Sequence, residues 1–207
     1  MNKKEPIMVL PTRREFLEGG LAAAAAITVA PPALAAAGTS LPLYAVVHDL
    51  RFAAGRSFAA EAQRQGVPVK AIDGKVHALW HDDLYHHWNS QPLPLAGMTT
   101  HDALFLLAMM GRDAGMRVIY RAHHRLGPKG EALAHATFGP PDLLTRHPRF
   151  GGPDVRWGTA AARIVTAWPR TAAAMRSSAS TIGHADRHAI SRDGLVTWLM
   201  VPASIPA

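Results

Sequence analysis

The sequence predicts an α/β fold: a three-layer domain on a mostly parallel sheet, Rossmann-like or doubly wound, closed by a C-terminal hairpin. Three observations carry this. Two short continuous apolar runs, at residues 43–47 and 93–98, are each followed by a helical pattern, a glycine and a second strand-like run, the form of a βαβ unit. The stretch at 103–110 is apolar almost all round, as expected of a helix held between a sheet and another layer. Arg192-Asp193-Gly194 marks a tight turn ahead of a branched and aromatic run at 195–201.

Each element has a local reason. Leu43-Tyr44-Ala45-Val46-Val47 shows no polar alternation, so it reads as a strand covered on both faces, ending at His48-Asp49. Residues 57–65 set Phe58, Ala59 and Ala62 on one helical face, and Gly66 stops that helix. Residues 67–72 return as a strand. After the second strand-like run at 93–98, Thr99 opens a helix with Asp102 three residues on as a capping pair. Gly115 ends it, and Met116-Arg117-Val118-Ile119-Tyr120-Arg121 forms the next strand. Residues 125–159 are rich in Gly and Pro and read as surface loops around one short strand at 132–138. Residues 163–168 and 195–201 have strand composition, and 188–191 is expected to pair with 195–200 as the hairpin. The Ala/Ser stretch at 171–180 suits helix or loop equally.

The amino-terminal segment is of another kind. Asn2, Lys3 and Lys4 give a polar start, and Thr12-Arg13-Arg14-Glu15-Phe16-Leu17 sets two arginines ahead of Phe-Leu. An Ala-rich run from Leu21 to Ala30 and further small residues complete the order of a cleavable export peptide. The stretch TRREFL resembles the twin-arginine (Tat) signal, Ser/Thr-Arg-Arg-x-Phe-Leu-Lys, with Glu18 where that pattern has Lys. Pro31 and Pro32 break the apolar run short of the ~20 residues that span a membrane, so no transmembrane helix is expected in the mature protein. Cleavage fits after Ala35 or Ala37; Ala37 divides the chain into a signal peptide, 1–37, and a single α/β domain, 38–207. The resemblance implies that the Tat export machinery carries the protein, already folded, to a periplasmic or secreted location. Many proteins on that route acquire a cofactor or partner first.

Of 207 residues, removal of the first 37 leaves 170, enough for one domain with a sizeable core. The removed part holds four basic and three acidic residues of a chain whose net charge is +7, leaving +6. Such an excess keeps a domain soluble and favours anionic partners. Nucleic acid is not expected, since no basic helix, RNP-type motif or Cys/His finger is present. The absence of cysteine excludes disulfides, thiolate metal sites and Fe–S clusters.

In an open parallel sheet, ligands bind beyond the carboxyl ends of the strands, at a switch point. The first strand ends in His48, Asp49 and Arg51, the third in Thr99, Thr100 and His101, and the fourth in Arg121, His123 and His124. Thr99-Thr100-His101 also opens a helix, whose free amides and positive dipole end suit an anion. The expected ligand-binding set is therefore His48, Asp49, Arg51, Thr99, Thr100, His101, Arg121 and His123. The alternative for these residues is a helix cap and surface arginines.

Trp80-His81-Asp82-Asp83-Leu84-Tyr85-His86-His87-Trp88 is the densest polar stretch. On a helix, Asp83 and His87 share a face at i, i+4, a spacing that can chelate a metal, although no HExxH-type signature accompanies it. A polar loop shielded by its tryptophans is the commoner origin of such a stretch. His184 and His188 repeat the spacing with low specificity. Ser57 and Ser90 lack a nucleophile elbow, and no G-x-G-x-x-G or Walker loop is present, so the sequence identifies no cofactor.

These features predict an exported ligand-binding or accessory protein with an anion-binding crevice, serving an exported partner enzyme. A His/Asp metal-dependent hydrolase or isomerase is the alternative, and a non-catalytic subunit of a redox complex is the third reading.

Overall fold

A computed structural model describes residues 40–145, 157–168, 170–171, 174, 182–185 and 194–203. The expected export segment and the expected hairpin strand at 188–191 lie outside the described residues.

The fold is α/β, with an open mixed sheet. Its seven described strands are β1 (Ala45–Asp49), β2 (Val69–Ile72), β3 (Leu95–Thr100), β4 (Met116–Leu126), β5 (Ala132–Gly139), β6 (Ile182–Ala185) and β7 (Leu195–Pro202), in the order β2-β1-β3-β7-β4-β5-β6. β1 runs parallel to β2 and to β3. Every other pairing is antiparallel. β4 therefore points the same way as β1 and β3, with β7 reversed between them.

The helices are α1 (Ala53–Arg64), α2 (His77–Leu79), a π turn (Trp80–Leu84), α3 (Tyr85–Ser90), α4 (His101–Asp113), α5 (Pro141–Thr145) and α6 (Trp157–Ala167). Strand side chains alternate between two apolar clusters. Val46, Met98, Ala122 and Leu199 join Phe58 of α1 and Val165 of α6 in one; Val47, Leu95, Val196 and Trp198 join Trp88 of α3 and Leu107 of α4 in the other. Gly158 lets α6 approach α1 closely, because a Cβ there would lie 2.2 Å from the Ala54 carbonyl oxygen. The same helix pair is tied by Arg163, which donates to Glu61 at 2.7 Å, and by Thr166, which donates to Gln65 at 2.6 Å.

Four expectations need correction. Residues 163–168 are not a strand: they lie in α6 and its end, where Ile164 and Val165 are buried and outweigh the weak strand preference of branched side chains. β7 is not half of a terminal hairpin. Both of its edges are taken, by β3 and β4, and all eight of its residues are buried. β4 does not stop at Arg121 but continues to Leu126, pairing with β5 as a ribbon. α4 is not covered on both sides: Ala103, Leu104 and Leu107 face the sheet, while Phe105, Leu106 and Met109 are exposed. Among the described residues, no helix is long and apolar enough to cross a membrane.

Candidate functional site

The carboxyl ends of β1, β3 and β4 meet one edge of the sheet because these strands run the same way. β1 and β3 are direct neighbours there, yet the helices that follow them leave on opposite faces, α1 into one apolar cluster and α4 into the other. This is the geometry of a topological switch point.

Strand register sorts the expected residues onto two faces. His48 pairs with Met98, Met98 with Thr197, and Thr197 with Ala122, so His48 lies on the α1/α6 face. One residue further on, Thr99 pairs with Val196 and Val196 with His123, which puts both on the α4 face. The expected set thus shares one edge of the sheet but is divided by the sheet itself.

On the α4 face the best-defined group is a histidine pair. His101, the first residue of α4, has its ring 5.9 Å from that of His123 on β4. His123 is 6% exposed, and its Nδ1 has no hydrogen-bond partner among the described residues. Phe138 closes another side, its ring edge-on to His123 at 5.9 Å and under the Arg121 guanidinium at 6.0 Å. Burial, with added repulsion from Arg121 and His101, lowers the His123 pKa to about 4, so the ring is neutral at ordinary pH. A neutral imidazole with a free ring nitrogen can donate or accept one hydrogen bond to a ligand.

Thr100, not Thr99, caps α4, its hydroxyl accepting from the Ala103 amide at 3.4 Å. Thr99 is fully buried: its hydroxyl donates to the Thr100 carbonyl at 3.1 Å and accepts from the Trp198 indole at 3.0 Å. It is a brace between strands, with no exposed atom to offer a ligand.

Asp49 and Arg51 hold each other. The fully buried Asp49 carboxylate accepts from the Arg51 amide at 3.1 Å, its Nε at 2.9 Å and its Nη2 at 2.6 Å. That hydrogen bonding raises the Arg51 pKa further. The guanidinium lies over Gly74, beyond the end of β2, and so leans away from β3 and β4. The expected pair of flanking arginines is therefore reduced to Arg121.

Asp83 and His87 lie elsewhere, around Tyr44. The Tyr44 hydroxyl donates to Asp83, whose carboxylate also pairs with Lys70 at 3.1 Å. The His87 ring stacks on Tyr44 with centroids 3.6 Å apart. Burial and the Asp83 charge push the Tyr44 pKa up to about 12. The Asp83 carboxylate is thus occupied. Among the described residues, no three His, Asp or Glu side chains are placed to hold a metal ion.

Sequence reasoning missed a buried polar row on the α1/α6 face. His124 Nδ1 lies 2.7 Å from His135 Nδ1, and His124 Nε2 lies 2.8 Å from the Thr197 hydroxyl, with the Trp157 ring 4.6 Å away. The His123-His124 doublet was the available signal. In a strand, adjacent residues face opposite ways, so one histidine goes to each face.

Comparison with known proteins finds no matching family model, no similar curated protein and no similar solved structure.

Proposed function

We propose that this protein is an exported ligand-binding or accessory protein that holds a small anion, a carboxylate or a phosphate, at the amino end of α4. The observation that carries the reading is the His101–His123 pair beside Arg121, with a buried, neutral and unpartnered His123 nitrogen at the end of a 13-residue helix. Arg121 supplies charge, the first-turn amides supply oriented donors, and His123 supplies one directional hydrogen bond. Inorganic phosphate and simple carboxylates, titrated by calorimetry, test this. Binding should raise the His123 pKa and should weaken on Arg121→Ala and His123→Phe. No binding of any such anion, or binding indifferent to both variants, would overturn it.

The three-layer, Rossmann-like arrangement belongs to the same reading, supported by the two apolar clusters and by the departure of α1 and α4 from neighbouring strands. Export to the periplasm by the Tat route, with release of residues 1–37 and service to an exported partner enzyme, rests on Arg13-Arg14 and Phe16-Leu17. Replacing both arginines by lysine should leave the protein in the cytoplasm at full length. Unimpaired export of that variant would remove the Tat reading. Metal-dependent hydrolysis, the other use of these histidines, has no observation in its favour comparable to the His101–His123 pair.

A further inference from the structure

We propose an open metal site on the surface of α2 and the π turn, in which His77 and His81 chelate a late first-row divalent ion, copper(II) above all. The site stands apart from the α4 reading and shares no residue with it.

The two histidines are four residues apart in one continuous helical run, and the Trp80 amide, donating to the Val76 carbonyl at 2.8 Å, shows that the run enters as an α turn. This spacing sets both imidazoles on one face. Both side chains are exposed, and their ring centroids lie 6.1 Å apart with an interplanar angle of 30°. Two imidazoles bound side by side to one ion, with metal–nitrogen bonds of ~2.0 Å, have their centroids ~4.5–5 Å apart. Rotation of two exposed side chains closes that difference.

Three further observations point to a cation. The Asp82 carboxylate lies 3.1 Å from His81 Nδ1. A carboxylate on one ring nitrogen fixes the proton there and leaves the lone pair of the other, Nε2, for a metal. Asp82 thus positions the ligand and does not bind the ion. With the His81 side chain 75% exposed, the site is open to ions from solution. His77 makes no side-chain hydrogen bond among the described residues, so its ring is available too. Charge agrees. The chain carries +7 overall, yet residues 73–83 hold Asp73, Asp82 and Asp83 against Lys75, and even with Lys70 set against Asp83 at 3.1 Å the local balance stays negative. The π turn itself is the third sign, since such turns are rare and recur mostly at functional sites.

Two protein ligands select the ion. A zinc site takes three or four, and no three His, Asp or Glu side chains are so placed among the described residues. Copper(II) accepts a tetragonal set of nitrogen and oxygen, which two imidazoles and water supply, and it heads the affinity order of the divalent ions. With no cysteine in the chain, no thiolate competes for it. The water positions leave the ion exchangeable.

Copper(II) chloride is the probe for the full-length chain, with calorimetry and electron paramagnetic resonance as the readouts. One ion should bind per chain, nickel(II) and zinc(II) should bind more weakly, and the copper spectrum should show two equatorial nitrogens. His77→Gln and His81→Gln, both surface changes, should each weaken binding by about tenfold or more and leave one nitrogen, because the second imidazole binds intramolecularly. Asp82→Asn should keep two nitrogens but weaken binding roughly threefold, less than in an enclosed site because the pair is exposed; no change would overturn its positioning role. His86→Gln, an exposed neighbour outside the pair, should change nothing. If each single variant halved the number of ions bound and left affinity unchanged, the histidines would be separate ligands and the chelate would be overturned. Copper binding indifferent to both variants, as for an ion held at His184 and His188, would overturn the site, and so would no binding at all.

Discussion

Replacing Thr99 with valine separates a structural brace from a ligand contact. The substitution keeps the shape of the side chain and exchanges only the hydroxyl for a methyl group, at a position with no exposed surface. The Trp198 indole N–H, which donates to that hydroxyl at 3.0 Å and is itself fully buried, would lose its acceptor. Losing one net hydrogen bond and stranding its donor costs about 1–3 kcal/mol. At roughly 2–4 °C per kcal/mol for a domain of this size, Tm should fall on the order of 5 °C. Urea unfolding of Thr99→Val, Trp198→Phe and the double variant gives the coupling between the two side chains, expected near ~1 kcal/mol because they touch. Phosphate affinity should not change. A Thr99→Val protein as stable as wild type, or a coupling of zero, would refute the assignment of Thr99 to the interior.

Gly97→Ala should destabilise the centre of the sheet by about 1–3 kcal/mol, because the new methyl would lie 2.4 Å from the Trp198 ring and 2.7 Å from the Val47 carbonyl oxygen, and neither can retreat in a filled core; urea midpoints measure this. The Arg163 hydrogen bond holds the Glu61 pKa below its ordinary 4.5, so the stability Glu61 contributes is complete above 4.5 and drains away as pH falls below it. Glu61→Gln should flatten the acid limb of a Tm-against-pH curve, and an unchanged limb would contradict the assignment. His123 behaves similarly with another charge type: its pKa falls from 6.5 unfolded to about 4 folded, so the unfolded chain takes up a proton first and stability declines as pH drops from 6.5 towards 4. Proton NMR should find the His123 ring still neutral at pH 5, and His123→Phe should remove its share of that decline.

The first half of the sheet was legible because its signals are local. β1, α1, β2 and β3 each follow from an apolar run, a helical face or a stopping glycine, and Gly115 takes the positive φ of 69° that such a stop requires. The second half depends on contacts distant in sequence. Ile164, Val165 and Thr166 favour a strand locally, whereas the conformation of α6 is decided by its close contact with α1, where Gly158 of α6 meets Ala54. β7 does carry a local sign of its place: an unbroken apolar run befits a strand walled in on all sides better than the partner in an exposed turn. At the candidate site, sequence order places the histidines along one edge of the sheet, since strand direction follows from the βαβ units. It could not distribute them between faces, because that required knowing that β4 runs on through His123 and His124.

The position of β7 bears on when the protein becomes whole. Among the described strands it is made last, and there it is the bridge between the β2-β1-β3 group and the β4-β5-β6 group. Until it emerges from the ribosome, each group presents a raw, unpaired flank, and the nascent chain is two half-sheets in search of a seam. Closing that seam must therefore outrun mispairing with other chains. Whatever meets the protein next has in that last strand a single point at which to tell ready from unready.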